Sequence, residues 1–274
     1  MHPLSDVFRR YAVYHFRTSS PLYECLSLAA ADDHGLLELA AQAGPGQPQP
    51  NMLSGAVHYL LLRGVDHPLR HFYPSLTSNP GDPALAFALF KDFCRAYRDA
   101  LLPLLRGNRV QTNEVNRCAY LYPAFCRIYR QTGRPLALIE IGASAGLQLL
   151  WDQYSYAYGT GEVYGGASAA LHLSSEPRGG IVPAFLRQLP PIADRVGIAL
   201  HVVDLQREDD YAWLQALVWP EHRERRLNLE KAAGCLKRRP PRLIEGDAVG
   251  LFAGTAAAMP EDAALGKEKS GRQI

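Results

Sequence analysis

The spacing of apolar residues divides the chain into two parts with different predicted secondary structure. In the first part the clearest apolar stripe recurs every three or four residues and predicts a helix from Pro83 to Leu105, kinked or ended by Pro103. Its members are Phe90, Phe93, Tyr97, Leu101 and Leu104. Further helices are predicted at Leu4 to Thr18, Pro21 to Ala31, Asn51 to Arg63 and Asn113 to Gln131. We therefore expect an N-terminal helical domain over residues 1–134.

After Pro135 the pattern changes to alternating strands and helices. Leu136 to Ile141 is a continuous apolar run bounded by Pro and Gly, which is typical of a strand covered on both faces. The other predicted elements are a helix from about Gly146, a hairpin at Glu162 to Leu173, strands at Val196 to Val203 and Arg242 to Glu245, and helices at Tyr211 to Trp219 and Glu221 to Leu236. This alternation predicts an α/β fold with a Rossmann-like, mainly parallel sheet over residues 135–260.

The C-terminal segment has a different composition. One helical segment follows Asp247 and reaches about Met259, and the polar sequence after it predicts disorder over residues 261–274. Only three core strands precede this tail, whereas a doubly wound sheet usually has about five or more. The sheet is therefore expected to be incomplete at the C-terminus, with its missing strands either absent or supplied by a partner chain or a homo-oligomer.

Composition and charge narrow the function classes. The 274 residues carry a formal net charge of only +2, which does not predict binding to nucleic acid. The five cysteines are scattered without a C-x-x-C pair, as expected for thiols in a reducing cytoplasm. The first residues form no apolar segment of the kind found in signal peptides, and no apolar run is long enough for a membrane span, so we expect an unsecreted protein. His67 and His71 have metal-ligand spacing but no identifiable third ligand, so no metal site is predicted.

The sequence "LIEIGASAGLQLLW", Leu138 to Trp151, contains two overlapping motifs. As G-x-S-x-G it resembles a nucleophile elbow, in which a tight turn between strand and helix exposes Ser144 for acyl transfer. Hydrolases of that type place several strands and an oxyanion loop before the serine, but here the preceding half is helical and lacks such a loop. The serine-hydrolase interpretation therefore remains a second alternative.

As E-x-G-x-S-x-G the same sequence indicates a cofactor loop. Small residues at the end of a strand let backbone N–H groups approach a ligand at the start of the next helix. The dinucleotide fingerprint is not matched because its third glycine is absent, whereas the form with glycine or serine in the middle is used by class I S-adenosylmethionine-dependent methyltransferases. The candidate cofactor-binding residues are Glu140, Gly142, Ala143, Ser144 and Gly146, with Asp204 and Asp247 after later strands.

Four polar residues outside this loop are candidates for catalysis. In "QTNEVNR" Thr112 is predicted to cap a helix and Glu114 to lie in its first turn. Alternatively Asn113, Glu114 and Arg117 orient a small-molecule substrate or transfer a proton. Asp152 follows the loop by one to two helical turns, and it is the other candidate for accepting a proton.

Several segments resemble a bacterial family known as domain of unknown function 2332. They are "RVQTNEVNRCAYLYPAF", "LIEIGASAGLQLLWDQYSYAYG", "WLQALVWPEHRERRLNLEKA" and "EGDAVGLF", and together the resemblance covers most of the chain. It implies a sheet similar to that of class I methyltransferases. Two features depart from the family pattern: Ala199 stands where an acid is expected, and a later strand with a V-x-x-H-[ST]-like segment is absent.

These observations predict a cytoplasmic, bacterial, methyltransferase-like protein that binds S-adenosylmethionine and a small-molecule substrate. The departures at Ala199 and at the C-terminus support the main alternative, a non-catalytic or truncated scaffold or binding protein. In the methyltransferase-like interpretation the loop at Gly142 is the expected cofactor site.

Overall fold

The computed structural model describes residues 2–166 and 168–269. The α-helices in chain order are α1 (Ser5–Tyr11), α2 (Pro21–Ala30), α3 (His34–Ala40), α4 (Gln49–Leu62), α5 (Phe87–Ala96), α6 (Arg98–Gly107), α7 (Cys118–Thr132), α8 (Glu208–Ala216), α9 (Arg223–Arg238) and α10 (Ala248–Ala257). The strands are β1 (Leu136–Ile141), β2 (Ser155–Ala157), β3 (Val163–Gly165), β4 (His172–Ser174), β5 (Ile192–Ala199), β6 (Arg242–Glu245) and β7 (Ala264–Lys269).

The chain forms two compact units. The first comprises Met1–Thr112 and Tyr211–Arg226, and the second comprises Asn113–Asp210 and Leu227–Ile274. The sequence pattern placed the end of the helical domain at residue 134, but α7 belongs to the second unit. Its helical periodicity does not distinguish it from the helices before it, and its place follows from packing beside the sheet.

Helix α1 to helix α6 and most of α8 build the first unit around an apolar core. Local caps begin two of these helices: Ser20 accepts a hydrogen bond from the N–H of Tyr23, and Asp33 accepts one from the N–H of Leu36. The core includes Phe8, Phe16, Leu22, Leu26, Met52, Phe90, Phe93, Leu101 and Trp213.

The helix predicted from Pro83 to Leu105 is divided in the structure. A 3₁₀ turn at Pro83–Leu85 precedes α5, and the backbone of Tyr97 (φ −109°, ψ 23°) separates α5 from α6. Pro103 lies inside α6, which continues to Gly107, so the prediction that Pro103 ends the helix is wrong, while a kink there stays a prediction. The rings of Phe93 and Tyr97 pack 4.6 Å apart at the break, which keeps the apolar stripe continuous although the helix is not.

A four-stranded parallel sheet forms the centre of the second unit. Its order is β6-β5-β1-β7, with Ile141 paired to Ile198 on one side and to Lys269 on the other. Strand β1 is buried almost throughout, as its apolar sequence predicted. One face of the sheet packs against α10 in a cluster of Ala137, Ile139, Val196, Ile198, Leu251 and Phe252.

A small three-stranded sheet, β3-β2-β4, follows β1 in the chain. The sequence predicted a hairpin over Glu162 to Leu173, but β3 and β4 do not pair with each other. Each pairs with β2, β3 in antiparallel and β4 in parallel orientation. The hairpin prediction missed Ser155–Ala157, which is too short for a recognisable period of two.

The C-terminal prediction is corrected over residues 264–269. Strand β7 lies within the segment expected to be disordered, and it raises the number of strands in the main sheet to four. It pairs in register with all of β1, and the N–H of Ala264 donates to the carbonyl of Pro135 at 2.7 Å. Backbone pairing rather than apolar composition therefore defines this strand. The remainder of the predicted tail, residues 270–274, lies outside the described residues.

None of the helices within residues 2–166 and 168–269 is both long and apolar enough to cross a bilayer.

Candidate functional site

The loop after β1 has three residues with positive φ: Gly142 (81°), Ser144 (55°) and Gly146 (76°). Its backbone N–H groups are largely used inside the protein. Those of Gly142 and Ala143 both donate to the carbonyl of Ile198, at 2.7 and 3.2 Å, and that of Gly146 donates to the carbonyl of Ala143 at 2.7 Å. These three donors were expected to face a ligand, but in this conformation two of them bond the loop to β5 and the third bonds within the loop.

Side chains of neighbouring elements explain why the loop needs glycine at its end. A Cβ atom on Gly146 would lie 2.9 Å from both Leu243 Cδ2 and Pro241 Cγ. On the adjacent strand, a Cβ atom on Gly197 would lie 2.6 Å from the Cβ of Ala143. The small residues of this motif therefore allow close packing between strands and loop.

Ser144 is held in a left-handed conformation, which is uncommon for a residue other than glycine. Its carbonyl accepts a hydrogen bond from the N–H of Val203 at 3.3 Å, which fixes the loop to the segment after β5. Its side chain is 1% exposed, and its Oγ has no hydrogen-bond partner among the described residues. A nucleophilic serine must reach its substrate, so this burial gives the hydrolase interpretation no support.

Asn113 contacts the loop directly. Its Nδ2 donates to the carbonyl of Ala143 at 2.6 Å, while its buried Oδ1 has no partner among the described residues. Next to it, the carbonyl of Glu114 accepts a hydrogen bond from Gln148 Nε2 at 3.2 Å. The segment before α7 and the segment after the loop are thus bonded to one another around Ala143.

The capping prediction for this segment is wrong in its register. Glu114, not Thr112, provides the cap: its Oε1 accepts from the N–H of Asn116 at 3.1 Å and begins a 3₁₀ turn at Val115–Arg117. Helix α7 begins only after this turn. Arg117, a candidate substrate-orienting residue, is the last residue of the 3₁₀ turn. The Glu114 carboxylate therefore accepts a hydrogen bond in this local cap.

Glu140 is 1% exposed and lines a cavity of about 10 Å³ together with Gln148 and Trp151. That volume has room for about one water molecule and is far too small for a cofactor. Among the described residues, Gln148 Oε1 and Trp151 Nε1 are buried without hydrogen-bond partners. Sequence reasoning did not assign either residue to a site. The signal available for Gln148 was a single amide within the apolar run "GLQLLW".

Asp152 forms a largely enclosed ion pair with Arg195. Its carboxylate accepts from Arg195 Nη1 at 2.6 Å and Nη2 at 3.0 Å, and Arg195 Nη1 also donates to the carbonyl of Leu149 at 2.6 Å. Both side chains are less than one-fifth exposed. A 3₁₀ helix, Leu147–Gln153, carries Asp152 in place of the predicted α-helix. The carboxylate predicted to accept a proton is therefore bound in a two-pronged ion pair.

Three tyrosines after Asp152 pack inside the second unit. The hydroxyl groups of Tyr154, Tyr156 and Tyr158 donate to backbone carbonyls at 2.5–2.7 Å. Burial raises the pKa of all three phenols, so they remain neutral donors. The ring of Tyr156 stacks on Tyr122 at 4.4 Å. These contacts identify packing as their role in the structure.

The two later candidate acids make local bonds. Asp204 Oδ1 accepts from the N–H of Gln206 at 2.9 Å, and Asp247 Oδ1 accepts from the N–H of Val249 at 3.0 Å and caps α10. Strand β5, which precedes Asp204 in the chain, ends at Ala199. This residue is 2% exposed and has no acidic group. Of these candidates, Asn113 bonds to the loop, whereas Asp204 and Asp247 accept hydrogen bonds within their own turns.

His67 does not share a metal site with His71. Its Nδ1 accepts from the N–H of Leu69 at 3.1 Å and its Nε2 lies 3.3 Å from Asp92 Oδ2, and the segment that follows is a 3₁₀ turn, Pro68–Phe72. Within the described part of the chain, no three His, Cys, Asp or Glu side chains are grouped as a metal site would require.

One family profile matches residues 5–265, that of the uncharacterized proteins conserved in bacteria, DUF2332. The chain belongs to this family. No curated protein and no solved structure matches it. The family match covers most of the chain, but the description of the DUF2332 family names no activity.

Proposed function

We propose that the second unit is a Rossmann-like domain that binds S-adenosylmethionine beside the loop after β1, and that the chain is a methyltransferase-like protein. The observation that carries this proposal is the strand order β6-β5-β1-β7 with all strands parallel. Numbered by their place along the chain, these strands read 3-2-1-4 across the sheet. This is the first part of the doubly wound order 3-2-1-4-5-6.

The strand order also indicates where a ligand would lie. In open sheets of this type the ligand binds outside the carboxyl ends of the strands, where the chain reverses direction across the sheet. Here that point lies between β1 and β7, and the carboxyl end of β1 leads into Gly142. Gly142 is partly exposed, whereas the loop from Ala143 to Gly146 is buried. Gly142 is thus the part of the motif that a cofactor would approach.

The candidate residues fit this cofactor only in part. The N–H groups of Gly142, Ala143 and Gly146 already have acceptors within the protein. In addition, β5 ends in Ala199 instead of an acid that would bind the ribose hydroxyl groups. Asp204 and Asp247 are bonded within their own turns. We therefore propose binding of the cofactor and assign no methyl-transfer step to Asn113, Glu114, Arg117 or Asp152.

The same observations support a second candidate function, a binding or scaffold protein that does not catalyse. Its specific support is Ala199, because the missing acid removes a cofactor contact without disturbing the strand. The two functions differ in one measurable property. A methyltransferase converts the cofactor to S-adenosylhomocysteine, whereas a non-catalytic protein binds it unchanged.

Isothermal titration with S-adenosylmethionine tests the proposal. We expect binding by the natural chain and by Gly159→Val, and binding at least about tenfold weaker for Gly142→Val. Gly142 (φ 81°) and Gly159 (φ 75°) impose a similar backbone strain on valine, so Gly159→Val is the matched control. Thermal unfolding establishes that both variants fold. Absence of heat with the natural chain, or equal binding by both variants, would overturn the proposal.

A further inference from the structure

A second pocket lies at the other end of the main sheet, where β5 and β6 begin. It has a volume of about 420 Å³, within the range of about 300–1,000 Å³ that is typical of small-molecule sites. Three arginines line it: Arg195 on β5, Arg239 after α9, and Arg242 at the start of β6. Nothing in the loop motif or the family description assigns a role to this pocket.

The three guanidinium groups differ in their freedom to bind a ligand. Arg195 is 19% exposed and is held by the Asp152 carboxylate, which balances its charge, so Arg195 lines the pocket but is not free to bind a ligand. Arg242 lies 3.5 Å from Asp194, an ion pair that is partly exposed. Arg239 is exposed, and its guanidinium forms no ion pair or hydrogen bond with the described residues. The pocket therefore offers one unpaired guanidinium and one loosely paired guanidinium.

Two prolines stiffen one side of the pocket, and one carboxylate in it would repel an anionic ligand. Pro240 and Pro241 connect Arg239 to Arg242, and their rings restrict the backbone between the two guanidinium-bearing residues. Asp194 also lines the pocket and disfavours an anion. A phosphate with a charge of about −1.5 to −2 competes with this carboxylate for Arg242 better than a monocarboxylate does.

We propose that this pocket binds a small phosphate ester, with the phosphate held by Arg239 and Arg242 and the organic part against Leu150 and Pro241. The volume exceeds the need of a phosphate group alone, which favours an ester over inorganic phosphate. Guanidinium groups match phosphate oxygens with paired hydrogen bonds, which compact ammonium groups do not. The site is separate from Gly142 and does not depend on the function proposed there.

Titration with ribose 5-phosphate tests this site, with ribose and inorganic phosphate as comparison ligands. We expect ribose 5-phosphate to bind more tightly than inorganic phosphate and ribose not to bind, and we expect affinity to fall as ionic strength rises. Arg239→Gln should weaken binding about tenfold. Asp194→Asn should strengthen it several-fold, since it removes the opposing charge and keeps the oxygen that accepts the N–H of Arg195.

The neighbouring Arg238→Gln is the matched control, because Arg238, the last residue of α9, is exposed like Arg239 but does not line the pocket. Equal weakening by Arg238→Gln and Arg239→Gln would show a general charge effect and overturn the proposal. No binding of ribose 5-phosphate, or binding that Arg239→Gln leaves unchanged, would also overturn it. Binding of S-adenosylmethionine by Arg239→Gln should equal that of the natural chain, so the two sites fail or succeed separately.

Discussion

The two units differ in how they accommodate buried polar side chains. In the first unit His58 is fully buried, and both ring nitrogens have partners: Nδ1 lies 3.0 Å from the carbonyl of Ala216 and Nε2 lies 2.8 Å from Ser75 Oγ. In the second unit, four buried polar atoms around one loop lack partners among the described residues. They belong to Asn113, Ser144, Gln148 and Trp151.

The hydrogen-bonded His58 is compatible with a purely structural role, whereas the unpartnered atoms around the loop mark a candidate site. A buried polar group without a partner costs about 1–3 kcal/mol, whereas a satisfied one makes a small net contribution to stability. The first unit also contains such atoms, Asn51 Oδ1 and Tyr73 Oη, but they lie on separate segments. In the second unit, by contrast, the four unpartnered atoms are concentrated on the segments around β1. This sets the loop apart, since polar groups that do not serve stability are typical of functional sites.

The largest effect is expected from filling the space at Gly146. We expect Gly146→Ala to lower the free energy of unfolding by about 3 kcal/mol, because it adds left-handed strain to contacts with Leu243 and Pro241. Gly159→Ala should cost only about 1 kcal/mol, since Gly159 has φ 75° but no atom within 4 Å of its Cβ position. Urea unfolding followed by circular dichroism measures both. Equal losses of unfolding free energy in the two variants would mean that contacts with Leu243 and Pro241 do not restrict the side chain at position 146.

An effect of similar size concerns His58 and pH. Burial lowers the pKa of His58 to about 4, with a smaller contribution from the charge of Arg226. The unfolded chain binds a proton below about pH 6.5, whereas the native state does so only near pH 4. Stability is therefore highest above pH 6.5 and falls by about 3 kcal/mol as the pH drops to 4.

His58→Gln removes this titration and can keep one hydrogen bond, so it isolates the effect. We expect the difference in unfolding free energy between the natural chain and His58→Gln to shrink as pH falls from 7 to 4. Urea unfolding at several pH values measures that difference. Parallel pH curves for the two proteins would contradict the view that His58 is buried neutral and fully bonded.

The predictable parts of the fold were those in which local sequence and tertiary environment agree. Strands β1 and β6 begin and end where the sequence predicted, because breakers such as Pro135 and Gly246 bound them. Strand β7 was missed because it is polar and joins the sheet through backbone bonds to β1. The division near Asn113 was missed because periodicity does not report which unit a helix packs in.

For the candidate site, the sequence identified the loop but not its surroundings. The small residues at Gly142 and Gly146 and the positive φ of Ser144 are what a tight strand-to-helix turn requires. The contact of Asn113 with Ala143 joins residues 30 positions apart. The pocket lined by Arg195, Arg239 and Arg242 joins β5 to the segment after α9. The Asn113 contact and the pocket both depend on tertiary contacts, which local sequence patterns do not reveal.

The smallest expected effect tests the serine of the loop. Ser144→Gly should raise the free energy of unfolding by about 1 kcal/mol, because it removes left-handed strain and a buried hydroxyl without a described partner, against a cost of about 0.5–1 kcal/mol in backbone entropy. Ser155→Gly is the control, since Ser155 is also a buried serine of the second unit but its Oγ lies 3.0 Å from His172 Nδ1. We expect that variant to lose about 1–2 kcal/mol. If both variants lose stability equally in urea unfolding, the hydroxyl of Ser144 is bonded in solution, and it is a binding group rather than a substitute for glycine.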